Sequence, residues 1–211
     1  MRRLPVYLLL DTSGSMTGEP IEAVKNGVQV MISSLRQNPQ AIETAYLSVI
    51  TFDASARQII PLTDLSNFQM LDIQATGTTS LGEALKVLSN CIDNEVVKTT
   101  AETKGDWKPL VFIMTDGLPT DDWQSGLSIF KTKKTGIVVA CSAGSNADSS
   151  ILKQITDNVV AIDTDINSIS KFFAWVTASI GVTSTKVEDA GKEVSGMNEL
   201  PPPPSELNIV T

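Results

Sequence analysis

The sequence predicts an α/β domain, a doubly wound and mostly parallel sheet with one antiparallel edge strand and helices on both faces. Three observations carry that reading. Continuous apolar runs at 6–10 (VYLLL) and 109–115 (PLVFIMT) have the character of strands covered on both sides. Between such runs lie segments whose apolar residues recur at helical spacing. The two kinds of segment then alternate along the chain, as they do in β-α-β units.

Taken in order, residues 6–10 form the first strand, followed by a Ser/Gly turn. Glu19-Pro20 opens a helix, with proline suited to its first position. Ile21, Val24, Val28, Met31, Ile32 and Leu35 make one apolar face, and Asn38-Pro39 ends the helix. Residues 46–52 (YLSVITF) are rich in β-branched and aromatic side chains and read as a strand. Residues 56–62 pair with it as a hairpin through Asp53-Ala54-Ser55 and supply the antiparallel edge. A helical turn is expected at 66–72.

The small polar loop 75–80 (ATGTTS) leads into a helix with Leu81, Ala84, Leu85, Leu88 and Ile92 on one side. Residues 99–108 are polar and read as a loop before the strand 109–115. Asp121 or Thr120 is expected to cap a helix running to about Lys133. Residues 136–141 (GIVVAC) form a core strand, 149–155 a short helix and 158–162 the last strand. Ile169, Phe172, Phe173, Val176 and Ile180 mark a final helix over 166–180. From about 182 the chain turns polar without clear periodicity, and Pro201 to Pro204 favour polyproline II. The expected division is a domain over 4–181 and a polar, proline-rich tail over 182–211, either disordered or laid along the domain as a strap.

Composition excludes several classes of function. The 211-residue chain carries a net charge of −8, which argues against general affinity for nucleic acid or an anionic membrane. It has no histidine, which removes Ser-His-Asp and Cys-His catalysis and most zinc sites. Cys91 and Cys141 lie in apolar segments and read as buried free thiols of a reducing compartment. No stretch approaches the ~20 apolar residues of a membrane span. The opening MRRLP does not read as a signal peptide, so a cytoplasmic location is expected.

The chemistry concentrates where strands give way to helices. In an open α/β sheet, ligands bind outside the carboxyl ends of the strands. Three segments fall there: Asp11-Thr12-Ser13-Gly14-Ser15, the Gly77-Thr78-Thr79 loop, and Asp116-Gly117. All offer oxygen ligands, which suit hard divalent cations. Each string alone is also ordinary turn and cap chemistry.

Together and in this order, D-x-S-x-S, a threonine in G-T-T-S-L-G-E-A-L and the aspartate of I-M-T-D-G resemble the metal-ion-dependent adhesion site of the von Willebrand factor type A family. The resemblance spans about residues 4–181. It implies a Rossmann-like fold and a divalent cation, magnesium first and manganese or calcium next, held by Asp11, Ser13, Ser15, Thr79 and Asp116. It implies no catalysis. Three of the five ligands are neutral hydroxyls, so a cation bound there keeps positive charge, and a carboxylate from a partner protein can complete its coordination. The opening RRLPVYLLLDTSGSM and the segment GEPIEAVKNG are further similar to bacterial proteins of the TerY/YegL type. That likeness implies tellurium-resistance or stress-response roles, with protein kinase and phosphatase partners.

Two other functions stay open at this point. A metal-dependent phosphohydrolase or phosphotransferase would use an aspartate at the end of the first strand as nucleophile, but hydroxyls stand where a second carboxylate is expected. No G-x-x-x-x-G-K loop is present. A scaffold or substrate in a kinase–phosphatase circuit is the other. Asp53 reads as a hairpin residue, Asp121 and Asp122 as helix N-terminal residues, Glu83 as a solvated first-turn residue, and Trp123 as partly buried against the core.

Overall fold

In the computed structural model, which describes residues 2–144, 147–189, 191–194 and 196–210, seven strands form one sheet in the order β3-β2-β1-β4-β5-β6-β7. Strands β1 (Leu4–Asp11), β2 (Ala45–Phe52), β4 (Leu110–Thr115), β5 (Val138–Ala143) and β6 (Val159–Ile162) run parallel. Strand β3 (Ala56–Asp64) is the antiparallel edge that the hairpin predicts. Helices α1 (Glu19–Leu35), α2 (Pro39–Thr44) and α6 (Ile166–Asp189) contribute to a different core from α3 (Leu81–Glu95), α4 (Trp123–Phe130) and α5 (Ser149–Ile155).

Strand periodicity divides those two cores. In β1, Leu4, Val6, Leu8 and Leu10 enter the core shared with α1 and α6, while Tyr7 and Leu9 enter the core shared with α3. In β4, Leu110, Phe112 and Met114 face the first core, and Val111 and Ile113 the second. Asp11 and Thr115 continue the odd-numbered rows of β1 and β4, so alternation assigns both to the α3 side. The strands pair in register up to Leu10 opposite Met114, which leaves Asp11 and Thr115 side by side.

Two glycine contacts fix how the helices stack. A Cβ on Gly27 of α1 would lie 2.3 Å from the ring of Phe173 in α6. A Cβ on Gly126 of α4 would lie 2.1 Å from the carbonyl oxygen of Gly82 in α3. The α3–α4 backbones therefore approach as closely as two glycines allow.

Several elements differ from the sequence reading. Asn38-Pro39 does end α1, but it also starts α2: Asn38 Oδ1 accepts the Ala41 amide at 2.9 Å, and Pro39 supplies a preset first turn. The expected helical turn at 66–72 is only a turn at 65–67. The Asp64 carboxylate takes the Ser66 and Asn67 amides, and Arg36 holds the Leu65 and Phe68 carbonyls. Helix α4 stops at Phe130 rather than Lys133, and its cap is Asp122, which accepts the Ser125 amide at 3.1 Å.

The chain end differs most. Helix α6 does not stop at Ile180 but continues to Asp189, burying Thr183, Ser184 and Val187. These positions escape a search for apolar periodicity because two of the three carry hydroxyls; the Thr183 hydroxyl donates to the Ser179 carbonyl at 2.8 Å. Beyond α6 the described residues lie along the domain. Val194, Leu200 and Leu207 are buried in the first core. Trp175 Nε1 donates to the Pro201 carbonyl at 2.9 Å, and Lys186 Nζ to the Glu199 carbonyl at 2.6 Å. A further strand, β7 (Asn208–Ile209), pairs antiparallel with β6 and covers the second edge of the sheet. Both cysteines are free and buried, and burial pushes the Cys91 thiol up to about 11. No helix among the described residues is long and apolar enough to cross a membrane.

Candidate metal centre

Asp11 closes β1 and is buried at 1% exposure. The chain then turns through a 3₁₀ segment, Gly14–Met16, anchored by the fully buried Met16. That turn folds the hydroxyls back onto the strand end. The Ser13 amide donates to Asp11 Oδ1 at 2.8 Å, and the Ser13 and Ser15 hydroxyls lie 3.0 Å apart. Ser15 Oγ donates to Asp116 Oδ1 at 2.7 Å, which ties the first segment to the third.

The middle segment is laid against the first by main-chain bonds. Gly14 N donates to Gly77 O at 3.0 Å and Thr76 N to Thr12 O at 2.8 Å. Gly77 sits at φ +72°, and a Cβ there would come within 3.2 Å of Ala54, so this position needs glycine on both counts. Thr79 is buried while Thr78 is exposed. The Thr79 hydroxyl faces the third segment: a Cβ on Gly117 would lie 3.0 Å from Thr79 Oγ1 and 3.9 Å from Ser15 Oγ. Thr120 binds the same loop from the other side, its amide donating to Thr79 O at 2.9 Å and its hydroxyl accepting the Thr79 amide at 3.2 Å.

The structure thus brings Asp11, Ser13, Ser15, Thr79 and Asp116 to one place at the carboxyl edge of the sheet. Two residues outside the expected ligand set complete the frame. Thr115 donates its hydroxyl to Asp11 Oδ2 at 2.5 Å; its place directly before Asp116 at a strand end was the available signal. Asp121 caps α3 from across the site, accepting the Gly82 amide at 3.1 Å and the Glu83 amide at 2.8 Å. That cap serves a helix other than the one it precedes in sequence, so no local pattern could show it.

The remaining side chains fall outside the cluster. Asp53 takes the Ser55 amide and pairs with Arg57 at 3.2 Å, shaping the hairpin. Trp123 is half-buried against the α3-side core, and Glu83 is exposed.

The electrostatics describe a site that lacks a counter-charge of its own. Burial raises the Asp11 carboxyl above the usual range, and the nearby Asp116 raises it further, against bonds from Ser13 and Thr115 that lower it. Burial likewise raises Asp116 against the Ser15 hydrogen bond. No lysine or arginine forms an ion pair with either aspartate among the described residues. No group of three acidic, cysteine or histidine side chains gathers there either, so hydroxyls make up the majority of the donor set. Two buried anions and three hydroxyls fit a hard divalent cation, which would supply the missing positive charge.

Comparisons with known proteins agree with this fold. The domain model of the von Willebrand factor type A family matches residues 6–175. An uncharacterized protein of Synechocystis is 32% identical over 123 residues, covering 55% of this chain but only 26% of that protein. A von Willebrand factor type A structure from Catenulispora acidiphila superposes with a TM-score of 0.62 at 17% identity, over 86% of this chain and 43% of the other. Proximal thread matrix protein 1 from the mussel byssus, with a zinc-occupied MIDAS motif, gives 0.61 at 18% identity, over 83% of this chain and 45% of the other. The chain spans less than half the length of these relatives.

Proposed function

The chain belongs to the von Willebrand factor type A domain family, and on that premise we propose that it is a non-enzymatic binding module that grips an acidic residue of a partner protein through a divalent cation. Asp11, Ser13, Ser15, Thr79 and Asp116 would hold the cation. When bound, it supplies a centre of net positive charge with a coordination position open to an incoming carboxylate. The observation that carries this reading is that three separate segments converge, bringing two buried aspartates without an ion-pair partner together with three hydroxyls. The zinc-occupied MIDAS motif of the mussel protein supports it from a similar fold. Magnesium is the expected metal because hydroxyl and carboxylate donors are hard.

The residues do the positioning. Ser13 N and Thr115 Oγ1 engage both oxygens of Asp11, fixing the carboxylate plane. Ser15 holds Asp116 across the site. A phosphoaspartate mechanism would use a lysine aimed at the phosphate beside Asp11, and no lysine pairs with Asp11 among the described residues. The likeness of the opening RRLPVYLLLDTSGSM to TerY/YegL-type proteins supports a place in tellurium-resistance or stress response, beside a protein kinase and phosphatase. The test is pull-down from the native host with magnesium or with EDTA, using the wild-type chain and Asp11→Ala. Capture lost in EDTA and in the variant supports the reading; capture unchanged in both would overturn it.

A further inference from the structure

At the end of the sheet opposite the metal centre, a cleft of about 580 Å³ opens where β1 and β4 begin, between the last turn of α3 and the segment after α4. The eight residues of β1 separate it from Asp11 by about 23 Å. Its size falls within the range of small-molecule sites, about 300–1,000 Å³.

The charge of this cleft runs against that of the molecule. The whole chain carries −8, yet five cationic side chains line the cleft against three acidic ones. The acids are already engaged: Lys133 pairs with Asp93, Lys108 with Glu193 at 2.7 Å, and Arg3 with Asp106 at 2.6 Å. Lys98 and Lys134 are exposed and form no ion pair among the described residues. Lys98, Lys133 and Lys134 all line the cleft, and the Asp93 carboxyl is held below its usual range first by its hydrogen bond from Lys133, then by the charges of Lys133 and Lys98.

One wall is flat and fixed. The Arg2 guanidinium lies over the Trp107 ring, 3.5 Å from its centroid. Its Nε donates to the Gly105 carbonyl at 2.7 Å and its Nη2 to the Asp106 carbonyl at 3.2 Å, which orients the plane. Trp107 is buried beneath it, while Arg2 is only partly buried and lines the cleft. Val96 and Val97 add apolar surface alongside, and Val97 is 52% exposed.

From the cavity, its excess of cations and its planar wall, we propose that this cleft is a second binding site, for a small organic anion that joins a planar ring to a phosphate group. The ring stacks on the Arg2 plane beside Val96 and Val97, and Lys98 and Lys134 take the phosphate. The site is independent of the metal centre.

Adenosine monophosphate serves as the probe, with inorganic phosphate and adenosine as its two halves. Binding is measured by calorimetry in EDTA at low salt, which keeps metal-bridged coordination out of the result. The expected outcome is saturable binding of the monophosphate, at least about tenfold tighter than either half. The Lys98→Ala/Lys134→Ala double variant should weaken it by about tenfold or more, in line with losing charge-assisted hydrogen bonds, while Asp11→Ala leaves it unchanged. Both lysines are exposed, so the double variant should fold, and circular dichroism checks that it does. No saturation at millimolar probe, phosphate binding as well as the monophosphate, or a double variant that binds like wild type would each overturn the proposal.

Discussion

Thr115 Oγ1 donates a 2.5 Å hydrogen bond to Asp11 Oδ2, and this bond joins the ends of the two central strands at the metal centre. It follows from register: Leu10 pairs with Met114, so the next residues stand side by side, and their parity points both toward α3. With Ser13 N on Oδ1, the carboxylate is held from both sides. Thr115→Val keeps the volume and removes the donor. Magnesium and manganese affinity should fall about 10–100-fold, the usual effect of losing a residue that orients a metal ligand. Thr115→Ser should restore most of it. Calorimetric titration of the three proteins decides the matter, and a valine variant that binds like wild type would remove Thr115 from the site.

Metal binding should depend on pH with a definite sign. Burial raises both Asp11 and Asp116, and Asp116 adds repulsion at Asp11. In the cation-free protein the folded state therefore takes up these protons more readily than the unfolded chain. The two charged groups oppose folding above their raised values, and that cost disappears as pH falls through them. A bound cation stabilises the same charges, so protons compete with it. The gain in Tm from saturating magnesium should be largest near pH 7 and shrink as pH falls toward the ordinary carboxylate range of about 4. At 100-fold excess over Kd the gain corresponds to about 2.7 kcal/mol. Thermal melts from pH 7.5 to 4.5, with magnesium, manganese, calcium, zinc or EDTA, test this. An increment that does not change with pH would contradict it.

The stacking of α3 on α4 sets where Thr79 can sit. A Cβ on Gly126 would meet the Gly82 carbonyl oxygen at 2.1 Å, and one on Gly82 would meet Asp122 O and Trp123 Cα at 2.6 Å. These obstacles are backbone atoms and cannot rotate away. Alanine at a helix interior normally gains up to about 1 kcal/mol over glycine. Here Gly126→Ala should instead cost about 1–3 kcal/mol, the range for overpacking. Because Asp121 caps α3 from the α4 side, the same variant should also weaken metal affinity. Urea denaturation and metal titration read the two effects separately.

The central sheet and the five clustered residues were legible because their signals are local. Buried parallel strands show as apolar runs, and the three loops carry their donors in short strings directly after β1, before α3 and after β4. What was not legible depends on contacts between distant residues. Asp121 caps a helix that precedes it in sequence. The continuation of α6 through Thr183 and Ser184 hides behind polar side chains that are buried all the same, Thr183 by donating its hydroxyl to the Ser179 carbonyl. Strand β7 is two residues long and exists because β6 offers it an edge.

The segment after α6 should act as part of the fold. Leu207 is 3% exposed and Leu200 7%, both in the core that α1 and α6 share with the sheet. Pro201 to Pro204 hold the chain extended, so the Pro201 carbonyl is free to meet Trp175 Nε1 at 2.9 Å. Lys171 and Glu206 lie 3.5 Å apart, a partly exposed pair worth little by itself. Leu207→Ala should therefore cost about 2–5 kcal/mol, the range for truncating a buried leucine, whereas Lys171→Ala should cost under about 1 kcal/mol. Trp175→Phe keeps the ring in the core but strands the Pro201 carbonyl, a loss of about 1–3 kcal/mol if that group finds no water. Hydrogen exchange adds a spatial readout: Leu207→Ala should speed exchange at the Val210 amide, which donates to Val159, before it affects β1 or β4. Equal loss of protection across all strands would show that the segment unfolds only with the whole domain, and an unchanged Tm for Leu207→Ala would show that it contributes nothing to stability.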